Sequence, residues 1–86
     1  MKLAEIEQEK SRLAKLVFEG ADVRIKYAFK NDIGNCWHHS YEDPGKPSLD
    51  HGFWLAIVTS NTPPCKNQPD TKLNWTDTLL KRSDYE

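Results

Sequence analysis

Gly52-Phe53-Trp54-Leu55-Ala56-Ile57-Val58-Thr59 is the one unbroken apolar run in the chain. Aromatic and β-branched residues fill it, a glycine opens it, and Ser60-Asn61-Thr62-Pro63-Pro64 follows. That combination reads as a strand over 52–59 buried on both faces. Alternation sends Phe53, Leu55 and Ile57 to one side and Trp54, Ala56 and Val58 to the other. The rest of the chain must then supply two apolar covers.

Upstream, residues 22–30 form the clearest alternating strand. Val23, Ile25, Tyr27 and Phe29 face a core, and Arg24, Lys26 and Lys30 face water. Asn31-Asp32-Ile33-Gly34 reads as a turn leading into a second strand over 35–41, and the turn length sets its register. A three-residue loop with a glycine bulge places Phe29 opposite Trp37, Tyr27 opposite His39 and Ile25 opposite Tyr41. A two-residue Asn31-Asp32 loop instead buries Cys36 and His38. The first register hides more apolar surface, worth roughly 25 cal/mol per Å², and is the one expected.

Residues 2–18 read as a helix of strong helix formers that ends before Gly20. Its apolar seam is Leu3, Ile6, Leu13 and Val17, with Lys10 in the missing position and Leu16 and Phe18 broadening the C-terminal end. The last turn and a half is expected to dock on the sheet. The seam packs along its own sheet or pairs with the same helix of another copy, and two heptads need the sheet's help for pairing. Downstream, 59–74 is a long loop with three prolines. Residues 76–82 form a short helix capped by Thr76, with Trp75 stapled into the core, or a last strand. The fold class expected is α+β: one domain over 1–86, with an N-terminal helix on a small antiparallel sheet of three to four strands.

Bulk properties narrow the function. At 86 residues, 37% hydrophobic and 29% charged, the chain is lean in core formers, which favours help from a partner surface. Twelve basic residues balance thirteen acidic ones, and no polybasic block exists, so nucleic acid is not an expected partner. The longest apolar run falls far below the roughly 18 residues of a membrane span, and no signal-like segment opens the chain. A cytoplasmic location is expected, with free or metal-bound thiols rather than a disulfide.

Chemistry-bearing residues are few. Cys36, His38, His51 and Cys65 are soft and borderline ligands suited to tetrahedral zinc, and Cys36-x-His38 puts two of them on one strand face. The spacing lacks the usual close cysteine pairs, so zinc is a secondary reading and no cofactor is expected. Cys36 with a histidine, or an acid pair from Glu42, Asp43 and Asp50, could be drawn as catalytic, but no elbow or orienting residue accompanies them. No catalytic residue is assigned.

The aromatics carry the functional expectation. Trp54 needs a cover on its face of the buried strand, from the C-terminal segment or from another protein, and tryptophan is enriched at interface hot spots. The expected function is a non-enzymatic protein-binding or accessory module, a homo-oligomer. It binds through Trp54, Trp37 and Tyr41, with His38, His51, Glu42 and Asp43 at the rim. Small motif-free domains of this kind include inhibitor proteins of phages and mobile elements. The alternatives are a nucleotide-like ligand in a pocket between subunits, lined by Tyr27, His39 and basic side chains, and a zinc-stabilised domain.

Overall fold

The computed structural model describes residues 2–54 and 62–85. It is α+β: helix α1 (Leu3–Val17) packs on an antiparallel sheet of three strands, beside a separate two-stranded ribbon. The sheet contains β1 (Tyr27–Lys30), β2 (Trp37–Ser40) and, after the ribbon, β5 (Leu80–Lys81), in the order β2-β1-β5. The ribbon pairs β3 (Pro47–Ser48) with β4 (Phe53–Trp54). Of the apolar run that opens the sequence reading, residues 55–59 lie outside the described residues. Among the described residues no helix is long and apolar enough to cross a membrane.

The strand expected over 22–30 is regular only from Tyr27. Asp22 breaks its start: its Oδ1 accepts the Arg24 N–H at 2.8 Å and its carbonyl accepts the Ile25 N–H at 3.0 Å. Such side-chain capture competes with a ladder. Val23 is thereby left 89% exposed while Ile25 is buried.

The hairpin register differs from both sequence alternatives. Tyr27 pairs with Ser40, Ala28 with His39, Phe29 with His38 and Lys30 with Trp37. Asn31 N–H closes the turn on Cys36 O, so four residues, Asp32 to Asn35, form the loop. Gly34 (φ 76) and Asn35 (φ 48) are both left-handed, and Asp32 and Ile33 N–H both donate to Gly52 O at 2.9 Å. Docking the turn on the ribbon thus takes up the extra residue.

The shift moves Trp37 and His39 to the face of Ala28 and leaves Phe29 with His38 on the other. Two cores follow. On the helix side Leu13, Ala14, Val17 and Phe18 meet Ile25, Ala28, Trp37, Cys65, Leu73 and Leu80. On the far side Phe29 meets Trp54, with Trp75 and Leu79 packed against them.

The loop after the masked segment is tied down by β2. His39 N–H donates to Pro63 O at 2.8 Å and Cys65 N–H to Trp37 O at 2.9 Å, which bridges Pro64 to His38. Beyond that, the Gln68 side chain acts as a surrogate strand. Its Oε1 accepts the Trp37 N–H at 2.6 Å, and its Nε2 donates to Trp37 O and Cys65 O. The expected element at 76–82 resolves into a 3₁₀ turn (Trp75–Asp77) followed by β5. Its cap is Asn74, whose Oδ1 accepts the Thr76 N–H at 3.1 Å, rather than Thr76 itself.

Candidate functional site

The structure disperses the residues expected to bind. Trp37 and Trp54 are 1% and 2% exposed and belong to the two cores, so neither indole presents a surface. Trp54 is covered by its own chain: Trp75 meets it edge-on at 6.5 Å. Tyr41 is half-buried beneath the Arg24 guanidinium, 5.7 Å from the ring centroid. Glu42 and Asp43 are exposed, and Asp43 Oδ1 accepts the Gly45 N–H. Along α1, Leu13 and Val17 are fully in the core, Ile6 packs against it, and Leu3 stays 75% exposed. The helix seam is therefore split between the protomer's own core and solvent.

The four soft ligands do not converge. His38 Nδ1–H donates to Thr62 O at 2.9 Å on the far face, and His51 lies beside Ser48 in the β3–β4 turn. Cys65 sits in the helix-side core. Among the described residues no three His, Cys, Asp or Glu side chains group to hold a metal ion. Burial, and to a lesser degree the nearby Cys36, pushes the Cys65 thiol up to about 12. That keeps it protonated and unreactive at neutral pH. His39 cannot join Tyr27 around a ligand: it is on the helix side, its Nε2–H donating to Val17 O, its ring stacked on Phe18.

One pair escaped the sequence reading. Ser48 Oγ lies 2.8 Å from His51 Nδ1, a nucleophile beside a base at i, i+3 in a tight turn. No third group orients His51 by hydrogen bond among the described residues, and the turn is solvent-facing, so the pair reads as turn chemistry.

Several clefts among the described residues have charged linings. One, about 620 Å³, runs between α1 and residues 70–72. Its central charges are paired: Arg12 bridges Glu9 at 2.6 Å and donates to Asp70 O, while Thr71 Oγ1 donates to Glu9 Oε2. The Arg12 hydrogen bond holds the Glu9 carboxyl below its usual range against the opposing effect of burial.

A second cleft, about 430 Å³, opens at the β1–β5 end and is lined by Val23, Lys26, Tyr27, Lys81 and Arg82, among others. Its position follows from the register. Tyr27 pairs with Lys81 and Ser40, so Tyr27 and Lys81 share the face away from α1, past the point where the tryptophans cover Phe29. Arg82 is engaged: its Nη1 donates to Asp22 O and Ile25 O, and its guanidinium lies over Phe18. Lys26 and Lys81 are exposed and make no ion pair among the described residues.

The backbone adds a second feature there. Arg82 N–H donates to Lys26 O, and antiparallel alternation then points the Lys81 N–H and C=O away from β1. Neither finds a hydrogen-bond partner among the described residues. The opposite edge of the sheet is covered by the Pro63–Cys65 segment, where a proline limits further pairing. Among the described residues the free edge is β5. Sequence alone could mark Lys26 and Lys81 only as ordinary surface cations, because the distant pairing of Tyr27 with Lys81 is what brings them together. Comparison with protein-family models, with curated proteins and with solved structures gives no match.

Proposed function

We propose that the protein is a non-enzymatic binding module that takes an acidic, extended segment of a partner protein onto the edge of β5. The observation carrying this reading is Lys81, whose N–H and C=O point out from the sheet edge and which, with Lys26, Tyr27 and the exposed Val23, lines the cleft beside it. Edge addition draws affinity from main-chain hydrogen bonds and selectivity from alternate side chains. Here those side chains would be acidic residues facing the lysines and an apolar one meeting Val23 and Tyr27. A chain that holds a partner's strand this way acts as an accessory or inhibitor protein.

The test is fluorescence anisotropy with a labelled heptapeptide of alternating Glu and Val. Binding should weaken as salt rises, because both lysines are solvent-exposed. Lys81→Glu should cut affinity about tenfold, and a Lys-Val peptide should not bind. Equal binding of both peptides, or a Lys81→Glu variant that binds as the parent does, contradicts the reading.

A further inference from the structure

The end of β1 carries one buried donor that the fold leaves unused, the Asn31 side-chain amide, and next to it a lysine whose ammonium makes no ion pair among the described residues. Asn31 is 1% exposed. Its Oδ1 accepts the Trp54 N–H at 3.0 Å, but its Nδ2 has no hydrogen-bond partner among the described residues. Lys30, next to it, is 9% exposed. Its backbone is fully engaged: the N–H donates to Thr78 Oγ1, and the carbonyl accepts from Trp54 Nε1. Its ammonium has neither a carboxylate nor a hydrogen-bond acceptor among the described residues. A buried amide N–H left unmade is a desolvation cost that nothing among the described residues offsets.

Both residues line a polar cleft of about 320 Å³, shared with Asp32, Asn35, Asn74 and Trp75. β1 ends at Lys30, so consecutive residues can border one space there. The lining is rich in donors. Asn74 spends its Oδ1 on the Thr76 N–H and hydroxyl, which leaves its amide NH₂ available. Asn35 is held exposed in the left-handed region at φ 48. Lys30 and Asp32 contribute one charge of each sign, so the lining is formally neutral. A polyanion finds no net positive field in such a site and a hydrocarbon finds too little apolar wall. A single carboxylate finds a cation and amide donors, the combination that makes strong charge-assisted hydrogen bonds. The volume is at the small end of ligand sites.

We propose that this cleft binds a small molecule carrying one carboxylate, with Lys30 and Asn31 as its anchoring donors and Asp32 meeting a cationic or hydroxyl-bearing remainder. The site lies apart from the β5 edge and does not depend on the peptide reading.

The experiment is an NMR titration of ¹⁵N-labelled protein at constant ionic strength, following the Asn31 side-chain amide. The probes are glycine, acetate, inorganic phosphate and chloride. Glycine and acetate should shift the Asn31 NH₂ signals saturably, glycine at lower concentration, and phosphate and chloride should leave them in place. Lys30→Met keeps the buried stem and removes the charge. It should raise the dissociation constant at least about tenfold while keeping the dispersed amide spectrum of the parent. No shift with either carboxylate, an equal response to chloride or phosphate, or parental affinity in Lys30→Met each overturn the proposal. If Lys30→Met does not fold, the parental titration decides alone.

Discussion

Trp54 joins three parts of the molecule through one side chain. Its backbone N–H reaches Asn31 Oδ1, its indole N–H reaches Lys30 O at 3.2 Å, and its ring tilts against Phe29 at 5.9 Å while Trp75 closes over it edge-on. Truncation to alanine removes packing and takes the indole donor away from the Lys30 carbonyl. Trp54→Ala should therefore cost about 3–5 kcal/mol, a large share of the about 5–15 kcal/mol available to a small domain. Trp54→Phe keeps most of the ring contact and should cost about 1–3 kcal/mol for the lost hydrogen bond. Urea unfolding followed by circular dichroism measures both. An alanine variant as stable as the parent would place the indole outside the core. The sequence reading recognised that this residue needs a cover and left its source open between the C-terminal segment and a partner. The choice turns on Trp75, whose approach depends on β5 pairing with β1, a contact with no local signature.

At the scale of elements, the hairpin and the loop that follows the ribbon illustrate where local signals stop. Alternation in 22–30 and the Asn31–Gly34 turn are visible in the residues, and so is the helix over α1. The register is not, because the length of the turn is set by Gly52 O, which holds the Asp32 and Ile33 N–H groups from a distant ribbon. A one-residue shift changes the face of every side chain in β2. It explains why Trp37 and His39 lie beneath the helix and not beside Phe29 and Tyr27. The first strand starts later than its alternation predicts for a local reason, since the Asp22 carboxylate captures the Arg24 N–H. The 62–74 segment carries little hydrophobic pattern, because much of its order comes from polar side chains. Gln68 satisfies both backbone groups of the buried Trp37. Gln68→Ala leaves that N–H without its acceptor and should destabilise the protein by about 1–3 kcal/mol. Gln68→Glu keeps the acceptor and loses the donor, so its cost should fall between the alanine variant and the parent. Denaturant midpoints at constant slope report the order.

At the scale of the whole molecule, a three-stranded sheet carries two covers with different purposes. The helix closes one face along its length. Trp54, Trp75 and Leu79 close only the Phe29 half of the other. Among the described residues the Tyr27 half has no such cover, and the edge of β5 borders it with an exposed Lys81 whose backbone N–H and C=O point outward. Composition signals a lean core, and the tryptophans expected at a binding surface lie in the two cores. Trp37 is consumed by the helix-side core and Trp54 and Trp75 by the second cover, and cations beside a smaller apolar rim remain at the surface. The most direct measurement is the ¹H–¹⁵N signal of the Lys81 amide during titration with the alternating Glu-Val heptapeptide. Addition at the β5 edge predicts a downfield shift of that amide and slowed hydrogen exchange, with Tyr27 and Val23 moving alongside. A Lys81 amide that stays in place and exchanges at its free rate, while signals elsewhere move, would contradict the account.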